Sequence, residues 1–195
     1  MEMILVRHGQ PARVAQDPPL SDRGRVQALA AREALLAAPP GAVVASHLAR
    51  AHQTAQPTAD ALSLSVDRVP DIAEVDGDGT DYVFVEDIRA EGGETWKRFL
   101  ADPITAMGGN EAQFRSRTLG GFAHILERFA DHDRVAVFTH GFPINVLLAH
   151  TLGMDSLTRF SPAHGSITRI GGSRLERLRV LSFNETAHLT GEAAP

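Results

Sequence analysis

Four apolar residues in a row, Met3-Ile4-Leu5-Val6, stand near the start of the chain and give way to Arg7-His8-Gly9. A short unbroken apolar run with polar residues beyond it predicts a strand buried on both faces. Pro11, Pro18 and Pro19 predict irregular backbone after that strand. Ser21 predicts the cap of a helix reaching residue 38, with Val26, Leu29 and Leu36 on its inner face. The apolar and polar pattern then predicts a second buried strand over 42–46, a helix over 50–62 and a short strand over 66–69.

From residue 70 to 93 the periodicity dissolves into acids, glycines and scattered apolar residues. A stretch of that length without a period predicts an irregular, functional or mobile segment. A short helix over 94–100 follows, then a break at Pro103 and Gly108-Gly109. Residues 111–130 read as an amphipathic helix, with Phe114, Phe122, Ile125, Leu126 and Phe129 on one stripe. Residues 134–139 predict a central strand that ends at His140-Gly141, and 142–152 a buried helix that tolerates Pro143 in its first turn. Late strands are expected over 167–170 and 178–183, and a frayed tail after Asn184. Strands alternating with helices predict an α/β fold, a three-layer α/β/α sandwich on a mostly parallel central sheet. Residues 1–195 read as a single domain, with 70–109 as a substrate-facing loop or lid. Ligands of such sheets bind beyond the carboxyl ends of the strands, where two strands here end in histidine followed by glycine.

Composition narrows the function classes. With 43% hydrophobic and 22% charged residues over 195 positions, a folded domain is expected rather than disorder. The absence of cysteine removes disulfides, thiolate metal sites and cysteine nucleophiles. A net charge of −5 argues against a general nucleic-acid partner, which needs a positive face. No signal peptide and no apolar run of membrane-spanning length is evident, so a soluble cytoplasmic protein without a membrane partner is expected. Lys97 is the sole lysine, so arginines must be judged by position. No phosphate-binding loop surrounds Lys97, and His47 and His52 are spaced poorly for zinc on one helix face.

Arg7, His8 and Gly9 join three useful chemistries at a strand end. Arginine offers a planar fork to phosphate oxygens. Histidine can present a neutral nucleophilic nitrogen near neutral pH. Glycine lets backbone approach a ligand and permits positive φ.

The string Leu5-Val6-Arg7-His8-Gly9-Gln10 resembles the signature of the histidine phosphatase superfamily, the phosphoglycerate-mutase-like enzymes. The resemblance continues through Pro19-Leu20-Ser21-Asp22-Arg23-Gly24, Gln27-Ala28, and the block from Ser46 to Ala55 that carries Arg50. Asp71-Ile72-Ala73-Glu74-Val75-Asp76-Gly77 is similar to the proton-donor block, and Phe138-Thr139-His140-Gly141 to the block with the second histidine. The resemblance implies a phosphoglycerate-mutase-like fold and a metal-independent phosphatase with no cofactor, acting on a small-molecule phosphate ester. It implies His8 as the nucleophile and Arg7 and Arg50 as the phosphate clamp. It makes His140, in protonated form, a stabiliser of phosphoryl charge, and Glu74 the proton donor to the leaving oxygen. Gly9, Gln10 and Gly141 are expected to add phosphate contacts. A phosphoglycerate mutase, a protein phosphohistidine phosphatase and a non-catalytic phosphate-binding module are the alternatives. The chain's shortness beside the mutases, and the survival of all five chemistry-bearing residues, favour hydrolysis.

This sequence departs from the family pattern where many relatives carry a threonine and then an asparagine after the glutamine. Pro11, Ala12 and Arg13 stand there. Arg13, His47 and His164 are read as solvent or loop residues whose part in the site is open. The natural substrate and the oligomeric state, a homodimer included, are not legible.

Overall fold

The computed structural model describes residues 1–14, 16–79 and 81–194; Ala15, Thr80 and Pro195 lie outside the described residues. The strands are β1 (Glu2–Arg7), β2 (Ala42–Ala45), β3 (Val66–Arg68), β4 (Arg134–Thr139), β5 (Ile167–Gly171) and β6 (Arg179–Glu185). The α-helices are α1 (Asp22–Leu36), α2 (Ala49–Leu62), α3 (Val85–Glu91), α4 (Gly93–Ala101), α5 (Pro103–Ala106), α6 (Glu111–Arg128) and α7 (Gly141–Leu152). The strands form one sheet in the order β3-β2-β4-β1-β5-β6. β1, β2, β3 and β4 pair in parallel, whereas β5 and β6 add an antiparallel edge beside β1.

Strand periodicity sorts the core into two faces. Met3, Leu5, Val44, Val135 and Val137 point to one side, against Phe122, Ile125 and Leu126 of α6 and Ile144 and Leu147 of α7. Ile4, Val6, Val43, Ala45, Ala136 and Phe138 point to the other, against α1 and α2. The α/β/α sandwich expected from the sequence is therefore the fold. The apolar stripe on α6 is buried as its spacing predicts, and burying each Phe or Leu stabilises the fold by roughly 1.5–3 kcal/mol.

Several expectations are corrected. Ser21 does cap α1, accepting from the Gly24 amide, but the helix buries Gly24, Gln27, Ala28, Ala31 and Leu35. Leu29 is 44% exposed. Small residues win that face because α1 lies against α2, whose buried side is also small: Ala51, Ala55 and Ala59. Parts of the stretch expected to be irregular are regular: 3-10 turns at Pro70–Ile72 and Val75–Asp78 precede α3. Pro103 starts a helix rather than ending one, with Asp102 as its cap. The segment after Asn184 is not frayed. Leu189 and Ala193 are buried, and the Ala193 carbonyl accepts from Gln27 Nε2 of α1 at 3.2 Å. No helix among the described residues is long and apolar enough to cross a membrane.

Candidate active site

The parallel strands β1 and β4 run side by side, with Arg7 level with Thr139, so their carboxyl ends deliver Arg7-His8 and His140 to one place. The His8 amide donates to the Thr139 carbonyl at 2.9 Å, and the Gly165 amide donates to the Arg7 carbonyl at 3.0 Å. These bonds bring three histidines together: the His8 ring centroid lies 5.0 Å from that of His140 and 5.3 Å from that of His164.

His8 is 1% exposed, and its Nδ1 lies 2.7 Å from the Gly9 carbonyl oxygen. A carbonyl can only accept, so Nδ1 carries the proton and Nε2 keeps its lone pair. Burial, followed by the charges of Arg50 and His140, holds the imidazole well below its usual range, and it is neutral at pH 7. Gly9 serves a purpose other than the one expected of it. Its amide donates to Thr54 Oγ1 at 3.0 Å, and a Cβ there would sit 2.4 Å from the Gly24 carbonyl oxygen. Packing of the β1 loop on α1, rather than an open path for a ligand, requires glycine. The Gln10 amide is likewise taken by Gln27 Oε1 at 2.8 Å. The expected phosphate contacts from these two amides are thus committed to the fold, which leaves the side chains to hold an anion.

Arg50 is fully buried on the first turn of α2, with its Nη2 donating to Asp76 Oδ1 at 2.7 Å and its guanidinium 4.6 Å from the centre of the Tyr82 ring. Its Nε and Nη1, and the Nε of Arg7, have no hydrogen-bond partner among the described residues. Arg7 Nη1 donates to the Pro162 carbonyl at 2.6 Å, which fixes that guanidinium. Buried guanidinium N–H groups without acceptors are costly. An oxyanion with several lone pairs answers this cost.

Glu74 stands between the two 3-10 turns on a segment pinned from below. Thr139 Oγ1 donates to the Ile72 carbonyl at 2.7 Å, and Arg117 Nη2 donates to the Ala73 carbonyl at 2.9 Å. Glu74 Oε2 accepts from the Phe142 amide of α7 at 3.2 Å, while Oε1 has no partner among the described residues. Burial, only partly countered by that amide, pushes its carboxyl up to about 7. It is therefore able to give and take a proton near neutral pH. Gly141 opens α7 beside it, where a Cβ would come within 3.9 Å of Glu74 Oε2 and 3.7 Å of Arg7 Nε.

His140 is fully buried, with Nε2 2.6 Å from Ser46 Oγ. Burial, then Arg50 and Arg7, hold it well below its usual range. The expected histidinium is thus corrected for the free pocket, which is cationic rather than anionic. In the tautomer where Nε2 accepts from Ser46, Nδ1 carries a proton and donates without needing a charge.

Arg7, His8, Arg50, Glu74 and His140 all meet in this pocket. Three further residues are there that sequence reasoning passed over or left open. Asp76 orients Arg50. Tyr82 covers it. His164, read as a loop residue, reaches the His8 ring. Arg13 instead forms a solvent-exposed pair with Asp87 at 2.9 Å, and His47 Nε2 lies 3.1 Å from the Gly77 carbonyl oxygen. Among the described residues no three His, Asp or Glu side chains gather as a metal-ligand set.

Comparison with known proteins places the whole chain. Phosphoserine phosphatase 1 of Hydrogenobacter thermophilus is 26% identical over 200 residues, spanning 97% of this chain and 94% of that one. Mycobacterial glucosyl-3-phosphoglycerate phosphatase has the same fold, with a TM-score of 0.78 at 24% identity over 95% of this chain and 99% of that one. So does a phosphoserine phosphatase from Entamoeba histolytica solved with 3-phosphoglyceric acid, with a TM-score of 0.76 at 24% identity over 97% and 99%. The sequence model of the histidine phosphatase superfamily (branch 1) matches residues 3–186, which takes in every α-helix and, but for Glu2 of β1, every strand. The chain belongs to the histidine phosphatase superfamily, branch 1.

Proposed function

We propose that this protein hydrolyses phosphate monoesters of small molecules through a phosphohistidine on His8. The observation that carries the reading is the His8 imidazole. It is neutral, locked by the Gly9 carbonyl so that Nε2 is bare, and set among guanidinium N–H groups that lack acceptors.

Arg7 and Arg50 hold the phosphoryl oxygens, and His140 donates to them from Nδ1. Nε2 of His8 attacks phosphorus as the ester P–O bond breaks. The protonated Glu74 carboxyl delivers its proton to the departing alkoxide, which leaves as the alcohol. Water then attacks the phosphohistidine, Glu74 takes its proton, the N–P bond breaks, and inorganic phosphate leaves. The proton balance closes on Glu74 alone. Phosphoryl transfer of this kind relies on in-line placement and charge stabilisation, which two guanidinium groups can supply. The phosphatases similar to this chain act on small phosphate esters by name, which supports the substrate class.

The test is His8→Ala, which should abolish turnover of an aryl phosphate while circular dichroism is unchanged. With the unaltered protein, labelled phosphate trapped under alkaline conditions should map to His8. Label on another residue, or substantial activity in His8→Ala, would overturn the assignment.

A further inference from the structure

A cavity of about 320 Å³ opens beside the phosphate clamp, with Arg7 and Glu74 at one end of it. Its walls are mostly apolar, with Tyr82, Asn145, Thr158 and Ser161 as the uncharged polar side chains among them. Val83, Val85 and Trp96 line it from the lid side, and Phe99, Phe142 and Leu157 from the floor. Trp96 is stacked on Phe99, with centroids 5.4 Å apart and planes 13° from parallel, and Phe99 meets Phe142 edge-on at 6.1 Å. These residues belong to a third apolar cluster, formed where α3, α4 and α5 pack on α7. The remaining charges on the cavity wall are Glu86 and Arg89, both exposed and of opposite sign.

Resting on the proposed phosphatase reading, we infer that this cavity receives the alcohol half of the substrate, and that the preferred alcohol is uncharged, apolar and ring-bearing. Glu74 must touch the leaving oxygen to protonate it, so the group attached to that oxygen extends from Glu74. Glu74 borders this cavity and a second recess of only about 10 Å³, too small for an alcohol, so the large cavity is the one available. A phosphoserine or phosphoglycerate would place a carboxylate there. Apart from Arg7, already engaged with phosphate and with the Pro162 carbonyl, the wall offers a carboxylate only Arg89, which is solvent-exposed and accompanied by Glu86. An anion desolvated against Val, Trp and Phe without a buried cation binds poorly. A phenyl ring gains from the same surface through area burial and edge or stacked contacts. This chain therefore differs in leaving-group preference from the phosphoserine phosphatases it is similar to.

The experiment compares kcat/KM for 2-phenylethyl phosphate, glycerol 1-phosphate and phosphoserine. All three release a primary alkoxide, so differences report on binding of the alcohol. We expect 2-phenylethyl phosphate to exceed glycerol 1-phosphate by at least ~10-fold, the discrimination a small apolar pocket supplies, and phosphoserine to be the poorest. Trp96→Ala should collapse the ratio of the first two. Val83→Arg, which places a cation on the wall, should raise phosphoserine relative to 2-phenylethyl phosphate. Phosphoserine matching or exceeding 2-phenylethyl phosphate in the unaltered protein overturns the inference and leaves the phosphatase reading standing. Failure to turn over any ester, with aryl phosphate also inert, sinks the phosphatase reading itself.

Discussion

Asp76 Oδ1 accepts a hydrogen bond from Arg50 Nη2 at 2.7 Å, and both side chains are withdrawn from solvent. The carboxylate occupies one edge of the guanidinium and so leaves Nε and Nη1 as the edge available to phosphate. On the proposed mechanism Asp76 is thus a positioning residue, acting on the substrate through the direction it gives Arg50. Removing one partner of a buried pair costs roughly 3–5 kcal/mol, because the other charge stays buried.

Asp76→Ala should accordingly lower both the thermal midpoint and kcat/KM for any phosphate ester. Asp76→Asn keeps an acceptor oxygen and should recover much of kcat, with KM still raised. A purely structural residue would restore stability and activity together. If Asp76→Asn regains stability, kcat and KM together, Asp76 is purely structural and the orienting role is wrong.

The two arginines are separable from plain electrostatics. Arg7→Lys and Arg50→Lys keep charge but lose the fork that fixes phosphoryl geometry. Each should reduce kcat by roughly 10–100-fold, the worth of one charge-assisted hydrogen bond of ~1.5–3 kcal/mol. Arg179→Lys on the exposed edge of β6 serves as the control and should leave kcat unaltered. Near-normal kcat in Arg7→Lys and Arg50→Lys would mean that charge, not fork geometry, is being read.

Much of this site was legible because its chemistry sits at strand ends. β1 and β4 announce themselves as apolar runs, and each stops at the residue type that the reaction needs. What was not legible depends on tertiary contact. Leu29 and Leu36 look like an inner face, yet α1 buries alanine and glycine because α2 comes close with small residues of its own. Helix α4 was legible over 94–100, but α3 and α5 carry too few turns for a period to show, and their apolar side chains are spent on the apolar cluster and the cavity wall. Asp76 looked like one acid among many. Nothing local tells it apart, since its partner is 26 residues away. The part of His164 stayed open for the same reason: β5 must pair with β1 before the loop preceding it can touch His8.

The buried histidines make folding stability depend on pH. His8, His140 and His164 all lie well below the usual imidazole range, each through burial first, with Arg50, Arg7 and neighbouring histidines adding to it. Below a pH of ~6.5 the unfolded chain binds protons that the folded chain refuses. Their contribution is therefore complete above that value and is lost as pH falls through it. Glu74 opposes this, since its folded carboxyl at about 7 binds a proton that the unfolded carboxyl releases. Three groups outweigh one, so the urea midpoint should fall between pH 7 and pH 5. His164→Gln should flatten that slope. A midpoint that climbs towards pH 5 would show that the histidines are charged in the folded protein.

On the proposed mechanism Glu74 should also set the basic limb of activity. Its carboxyl must be protonated to serve the leaving oxygen, and it loses that proton as pH rises through about 7. Turnover of an alkyl phosphate, read as kcat/KM, should decline above that pH. His8 should add no acid limb near 6.5, because it is already neutral well below there. Ionisation of the substrate phosphate, with a pKa of ~6, is shared by every variant. The limb that disappears in Glu74→Gln is thus the one owed to Glu74. A basic limb that persists in that variant would assign it to another group.

The dependence on leaving group tests the same residue without relying on pH. Nitrophenolate departs readily without a proton, whereas an alkyl alkoxide does not. Glu74→Gln should therefore damage alkyl phosphate hydrolysis by ~10²–10⁴, the range of a positioned general acid, and damage nitrophenyl phosphate hydrolysis far less at the first step. Because the carboxylate also activates water, phosphoenzyme should accumulate in this variant when nitrophenyl phosphate is the donor. A burst of nitrophenol equal to the enzyme concentration, followed by slow turnover, is the expected trace. Asp71→Asn is the control, since Asp71 is exposed on the preceding 3-10 turn and faces solvent rather than the cavity. Asp76→Asn cannot serve here, because it disturbs Arg50. Should Glu74→Gln slow both substrates equally with no burst, Glu74 shapes the pocket rather than moving the proton, and the acid must be sought among the other side chains that border the cavity, Glu86 first.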